Sequence, residues 1–168
     1  NYRMKLVRII LHMLLGLWIL QRLGKRNDPR LTRRKVQLWH RKALHLFGFE
    51  RSLVGDLPKG SCLIASNHLS WIDILLIGSV MNVRFLSKAE VANWPIVGRL
   101  ATGAGTLYVN RGNRRSAEIA LTDIEAALGQ GDQVVVFPEG TSTRGPMPIK
   151  FRSRLIEAAR RVGVPVVP

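Results

Sequence analysis

The residues with the greatest capacity for chemistry lie in one polar stretch, residues 66–73, which separates two apolar runs. His68 and Asp73 are five positions apart within it. On a continuous helix these side chains would point about 140° apart, and on a strand they would face opposite sides, so they meet only if the chain turns. An imidazole supported by a carboxylate is a general base, because the carboxylate fixes the tautomer and stabilises the imidazolium. Considered alone, this spacing is more often explained by a histidine that caps a helix or lies at the surface.

The elements on either side of this stretch would place it at the end of a strand. Residues 61–65 predict a short buried strand, and residues 71–80 predict a buried helix. Ser70 is the expected N-cap of that helix, which puts Asp73 in the first turn. Loops that follow strands are where open α/β sheets place their sites. We therefore expect His68 and Asp73 at the carboxyl edge of a sheet.

The chain from residue 49 onward alternates between strand and helix patterns. The other predicted strands and helices, in order, are strand 83–86, helix 90–102, strand 106–109, helix 114–128, strand 133–137, helix 151–162 and strand 164–167. This alternation predicts an α/β domain, residues 49–168, with a largely parallel sheet flanked by helices. The final run ends abruptly at residue 168, so we expect the domain to be truncated at its C-terminus.

Residues 1–48 predict two helices that associate with a membrane. Residues 9–20 contain no charged side chain and are flanked by basic residues, but twelve residues are fewer than the roughly 20 that span a bilayer. Residues 34–47 place Val36, Trp39, Ala43 and Phe47 on one face and basic residues opposite. A basic, aromatic-bearing amphipathic helix suits an anionic membrane surface. The alternatives are a buried core helix for the first segment and packing against the α/β domain for the second.

The charge and residue composition of the chain indicate which classes of partner it can bind. The chain has 26 basic and 11 acidic residues, a net charge of +15, which calls for an anionic partner such as a membrane face, a phosphorylated substrate or nucleic acid. Aromatic residues lie within apolar runs and no nucleic-acid-binding motif is present, so nucleic acid is not expected. No His/Cys cluster has metal-site spacing, and we predict no metal. The single Cys62 excludes an internal disulfide and fits a cytoplasmic location.

Two further loops are predicted to follow strands and to carry groups suited to a phosphate. Arg111 follows the strand at residues 106–109. Residues 137–144 combine Glu139, a flexible Gly140, hydroxyl groups and Arg144, and such a loop can offer backbone N–H groups, hydroxyls and a guanidinium to an anion. The basic run at residues 150–154 is either a third phosphate-binding segment or solvated surface. A Ser or Cys hydrolase is disfavoured, because there is no Gly-x-Ser-x-Gly motif.

Four segments of the α/β region have distinctive sequences: Asn-His-Leu-Ser-Trp-Ile-Asp at 67–73, Gly-Thr-Leu-Tyr-Val-Asn-Arg at 105–111, Phe-Pro-Glu-Gly-Thr at 137–141 and Val-Pro-Val-Val-Pro at 164–168. In this order they resemble the four motifs of the glycerolipid acyltransferases, in particular the bacterial 1-acyl-glycerol-3-phosphate acyltransferases, often called the PlsC family. The resemblance spans residues 61–168. It implies the glycerol-3-phosphate acyltransferase-like fold, and the two basic front-end helices resemble the membrane-docking helices of such enzymes.

The resemblance also implies roles for individual residues. His68 would deprotonate the acceptor hydroxyl with Asp73 orienting it, and the oxygen would attack the thioester of acyl-CoA or acyl-carrier protein without a covalent acyl-enzyme. No other cofactor is implied. Pro165 belongs to the motif on the acyl-donor side. The acceptor phosphate would be bound by Arg111, Glu139, Gly140, Thr141 and Arg144.

Two departures from the family pattern bear on the acceptor. Ser142 stands where an Arg is common, with Arg144 two positions later, and Asn110 stands where an Asp commonly precedes Arg111. Lysophosphatidic acid is the expected acceptor, and lyso-ornithine lipid is the alternative. We expect a protein associated with anionic lipids on the cytoplasmic face of the inner membrane.

Overall fold

The fold is known from a computed structural model that describes residues 2–24, 29–110, 114–140 and 153–168. Within these ranges the strands are β1 Cys62–Ala65, β2 Val83–Lys88, β3 Leu107–Val109, β4 Gln133–Val136 and β5 Val166–Val167. The α-helices are α1 Tyr2–Gly24, α2 Pro29–Phe47, α3 Ile72–Val80, α4 Val97–Gly103, α5 Arg114–Gly129 and α6 Glu157–Val162. Two 3₁₀ helices, Ala89–Asn93 and Ser153–Leu155, complete the described elements.

The strands form one parallel sheet in the order β3-β2-β4-β1-β5, which confirms the predicted fold class. Ala65 at the end of β1 is aligned with Val136 at the end of β4. Parallel strands that are joined by helices are covered on both faces and are therefore continuously apolar. All four residues of β1 and the three valines of β4 are buried accordingly. One face packs against α5 and α6, and Ile74 and Ile77 of α3 pack on the other.

β2 extends two residues beyond the predicted strand 83–86, and three other predicted elements differ from the structure. The helix predicted at residues 90–102 is divided into a 3₁₀ helix and α4, because a γ-turn at Ile96 interrupts it. Ile96 has φ 62° and ψ −60°, and Val97 N–H donates to the Pro95 carbonyl at 2.6 Å. The predicted last helix is similarly a 3₁₀ turn followed by α6, with residues 151–152 outside the described residues. β5 is shorter than predicted because Pro165 has no N–H to pair.

The apolar face of α2 packs against protein. Ala43 and Leu44 are buried against Leu75 of α3, with Trp39 and Phe47 alongside. Of the two possibilities left open by the sequence, packing on the α/β domain is therefore the one that this face adopts. Burial lowers the pKa of His40, on the same helix, to about 4, so its imidazole is neutral at pH 7.

Helix α1 rests on α2 and α4 and leaves a long apolar face exposed. A Cβ atom on Gly16 would lie 2.5 Å from Trp39 Nε1, so glycine permits this close approach. Trp39 Nε1–H donates to the His12 carbonyl at 3.0 Å. The segment Arg3–Leu23, with mean hydropathy 1.6, meets the length and composition required to cross a membrane, and is longer than the uncharged run suggested. Its exposed apolar side chains include Met4, Leu6, Val7, Ile10, Leu11, Leu14, Leu15 and Trp18.

A buried carboxylate joins α2 to the amino edge of the sheet. Asp132, just before β4, pairs with Arg33 of α2 at 2.5 Å and with Arg84 of β2 at 3.4 Å. Arg84 Nε–H also donates to the Gly105 carbonyl at 2.8 Å. The side chain of Asp132 is only 4% exposed, whereas that of Arg33 is 48% exposed. Removal of the negative charge would therefore leave two guanidinium groups beside a neutral buried group.

We expect Asp132→Asn to lower the free energy of unfolding by about 1–3 kcal/mol, because the two ion pairs lose their attraction while Arg33 can still turn toward water. Denaturant unfolding followed by circular dichroism measures this loss. Asp123→Asn, at an exposed position of α5, is the matched control and is expected to leave the unfolding midpoint unchanged. Equal midpoints for both variants would contradict this account of Asp132.

Candidate active site

The polar stretch after β1 folds so that His68 and Asp73 meet. β1 ends at Ala65 and α3 begins at Ile72, and the loop between them reverses the chain. His68 Nδ1 lies 2.9 Å from Asp73 Oδ2. Both side chains are partly accessible, 20% and 17% exposed, so a substrate can reach the imidazole. The predicted turn between these two residues is therefore present, at the carboxyl edge of the sheet.

A single carboxylate oxygen organises this loop. Besides His68, Asp73 Oδ2 accepts hydrogen bonds from the backbone N–H groups of Leu69 at 2.7 Å and Ser70 at 2.8 Å. In this network the neutral imidazole carries its proton on Nδ1, which leaves the Nε2 lone pair able to accept a proton. Ser70, the predicted N-cap, precedes the cap residue Trp71 by one position, although its Oγ still accepts from Ile72 N–H at 3.2 Å.

The loop after β4 lies directly against the loop after β1. Because Ala65 and Val136 are aligned, the residues that follow them are neighbours. Glu139 Oε1 accepts from His68 N–H at 3.3 Å, and Glu139 is 3% exposed. Its other oxygen is buried, with no hydrogen-bond partner among the described residues. Glu139 was predicted to be a phosphate-binding residue, and here its carboxylate supports the His68 backbone.

Phe137, to which the sequence assigned no role, lies against the imidazole of His68. The two ring centroids are 4.1 Å apart with 24° between the planes. Lys88, also not predicted as a site residue, ends β2 and places a cation at the same edge of the sheet. Each of these residues directly follows or ends a strand, which is the signal that could have identified them.

The remaining predicted site residues lie in a turn after β4, beside β1, or outside the described residues. Gly140 adopts φ 75° and its N–H donates to the Phe137 carbonyl at 2.9 Å, so a tight turn follows β4. The Pro165 carbonyl accepts from Leu63 N–H at 3.0 Å, which places Pro165 beside the amino-terminal half of β1 and not beside His68. Arg111, Thr141 and Arg144 lie outside the described residues.

One positive charge of the basic run at residues 150–154 has a partner within the protein. Arg154 Nη2–H donates to Glu118 Oε1 on α5 at 3.0 Å, and both side chains are about half-exposed. This arrangement is that of an ion pair at the surface of the domain. Residues 150–152 of the run lie outside the described residues.

A protein-family model described as acyltransferase matches residues 49–168, which is most of the chain. The chain belongs to this acyltransferase family. The lyso-ornithine lipid O-acyltransferase of Pseudomonas aeruginosa is 38% identical over 148 residues, covering 88% of this chain and 57% of that protein. The 1-acyl-sn-glycerol-3-phosphate acyltransferase of Neisseria gonorrhoeae is 34% identical and covers 66% of this chain and 43% of that protein.

A solved structure shows the same fold. The crystal structure of the 1-acyl-sn-glycerophosphate acyltransferase from Thermotoga maritima superposes with a TM-score of 0.69 at 22% identity, covering 98% of this chain and 74% of that one. This agreement includes the two helices that precede the sheet. The chain spans about half the length of the curated relatives that it matches, with coverage of 57%, 42% and 48% for three of them.

The shared oxygen of Asp73 leads to a stability prediction. An asparagine can place its carbonyl oxygen where Oδ2 lies and keep the three hydrogen bonds, whereas alanine leaves the loop N–H groups without an acceptor. We expect Asp73→Ala to lower the free energy of unfolding by about 1–2 kcal/mol and Asp73→Asn to lower it by less than half as much. Urea unfolding of both variants measures the difference. An equal loss in the two variants would show that the hydrogen bonds do not stabilise the loop.

Proposed function

We propose that this acyltransferase moves a fatty acyl chain from a thioester, acyl-CoA or acyl-carrier protein, to the free hydroxyl of a lyso-lipid. His68 is the general base and Asp73 orients it. The observation that carries the proposal is the 2.9 Å contact between His68 Nδ1 and Asp73 Oδ2, because it leaves Nε2 as the proton acceptor in an accessible loop. No further cofactor takes part, since a thioester is already activated.

The reaction is a direct transfer. Nε2 of His68 takes the proton of the lipid hydroxyl as its oxygen attacks the thioester carbonyl carbon. The resulting tetrahedral intermediate collapses with cleavage of the carbon–sulfur bond, and the imidazolium returns the proton to the departing thiolate. Asp73 stabilises the imidazolium through Nδ1–H. A covalent route through Cys62 is disfavoured, because this thiol is fully buried in β1 and burial raises its pKa.

The head group of the acceptor has two candidates. The motif resemblance supports lysophosphatidic acid, which would give phosphatidic acid. Relatives at 38% identity that are named lyso-ornithine lipid O-acyltransferases, together with Asn110 and Ser142, support lyso-ornithine lipid. Both acceptors carry an anionic group, a phosphate or a carboxylate, that cations at this edge can bind. The residues that we propose to bind this anionic group are Arg111, Gly140, Thr141, Arg144 and Lys88.

The acceptor reaches the site from a bilayer. Leu69 and Trp71, 52% and 54% exposed, belong to the same loop as His68, and Trp71 contacts Phe47 at the end of α2. Lys5 of α1 donates to the Phe47 carbonyl at 3.1 Å, so α1 begins beside this loop. An exposed apolar helix, interfacial tryptophan and a net charge of +15 suit an anionic membrane, on the cytoplasmic face where thioester donors are available. For the acyl donor, the motif resemblance supports Pro165 as a residue on the side where the donor binds.

The test is acyl transfer from a labelled acyl-CoA to either acceptor, with wild type and His68→Ala compared. We expect robust transfer to at least one acceptor and a fall in kcat of about 10²–10⁴-fold in the variant, the usual contribution of a general base. Use of only one acceptor identifies the head group. His45→Ala, at an exposed histidine of α2, is the matched control and is expected to retain activity within about twofold. Transfer by His68→Ala at the wild-type rate would refute the mechanism.

Membrane docking leads to a separate prediction. Leu11 of α1 is 59% exposed and Ile119 of α5 is 54% exposed, so the same substitution can be made on two helix surfaces. Leu11→Asp should weaken binding to anionic phospholipid vesicles at least about tenfold, because a carboxylate is costly in the apolar part of a bilayer. Ile119→Asp should leave it unchanged. Vesicle flotation measures both, and an equal loss would show that α1 is not the docking surface.

A further inference from the structure

Phe137 lies between the apolar cluster on the sheet and the imidazole of His68. It is the first residue after β4, and its ring stacks on the imidazole at a centroid distance of 4.1 Å. Its side chain packs against a cluster of four buried strand residues, Cys62, Ile64, Phe85 and Val135. Phe85 also stacks on Phe137, at 6.4 Å with 11° between the planes. The imidazole therefore lies on a ring that is fixed by the sheet.

The hydrogen bond that His68 donates to Asp73 does not fix the imidazole by itself. A contact at Nδ1 fixes one atom of the ring, but the plane can still tilt about that bond. Such a tilt displaces Nε2, which is the atom that must meet the acceptor hydroxyl. An aromatic face parallel to the imidazole opposes the tilt, and it also attracts the imidazolium that forms during proton transfer.

We propose that Phe137 is a positioning residue for acyl transfer, holding the plane of the His68 ring so that Nε2 faces the lipid hydroxyl. The inference rests on the proposed function of His68. The aromatic face acts together with Asp73, which fixes Nδ1, and with Glu139, which binds the His68 backbone. These two carboxylates are the charged groups that contact His68 within the described part of the chain.

Replacing the aromatic ring should slow turnover without weakening substrate binding. For Phe137→Leu in the full-length protein we expect kcat to fall about tenfold, because small displacements of a base cost about this much or more, while KM stays within about twofold. Phe137→Met, which also fills space without an aromatic face, should behave in the same way. Phe137→Tyr keeps the face and should retain most of the wild-type kcat.

Phe85→Leu is the matched control. It makes the same substitution in the same apolar cluster, and Phe85 has no ring contact with His68 in the part of the chain that the structure describes. We expect its unfolding midpoint to fall about as much as that of Phe137→Leu, with a clearly smaller loss of kcat, because Phe137 keeps its own ring contact with His68 and its contacts with the other cluster residues. A similar loss of kcat in both variants would reduce Phe137 to a core residue and overturn the proposal.

A double substitution separates this inference from the function on which it depends. His68→Ala is measured first, and full activity in that variant rejects the proposed base itself. If His68→Ala is impaired, adding Phe137→Leu should leave its residual rate unchanged, because there is no ring left to position. A further tenfold loss in the double variant, or wild-type kcat in both folded Phe137→Leu and Phe137→Met, overturns the positioning role alone.

Discussion

The site depends on one carboxylate oxygen that accepts three hydrogen bonds. Asp73 Oδ2 binds the His68 ring and the next two backbone N–H groups, so one interaction both closes the turn after β1 and orients the imidazole. Asp73 lies in the first turn of α3, where the helix dipole favours a negative charge. The oxygen that stabilises the loop is therefore also the oxygen that contacts the imidazole. Loss of this oxygen would therefore affect both the loop and the imidazole.

Strand order supplies the second half of the site. β1 is not paired with β2, which follows it in the chain, but with β4 and β5. Because β4 is adjacent, Phe137 and Glu139 reach His68 from about 70 residues away. Glu139 is buried and spans the two loops, which explains why a carboxylate stands in a loop otherwise suited to anions. Within the described residues, the parallel register also places Gly140 and Lys88 at the same edge of the sheet as His68.

The sequence predicted the local part of this site and the class of fold. The spacing of His68 and Asp73 required a turn, and alternating elements indicated a parallel sheet, because both depend on short-range periodicity. Phe137 could not be assigned a role, because its contact with His68 depends on which strands are neighbours. Nor could the apolar face of α2 be assigned, since lipid and protein select the same pattern. The γ-turn at Ile96 was missed because a β-branched residue rarely adopts positive φ.

A continuous row of rings connects the N-terminal helices to the base. Successive contacts join, in order, His12, Trp39, His40, Phe85, Phe137 and His68. The row can run through the interior because burial lowers the pKa of His40 and keeps it neutral, so that it packs as an aromatic ring. Side chains in a protein interior are close-packed, with few voids between them. The ring contacts therefore join the packing of α1 and α2 on the domain to the face of Phe137 on which the His68 imidazole lies.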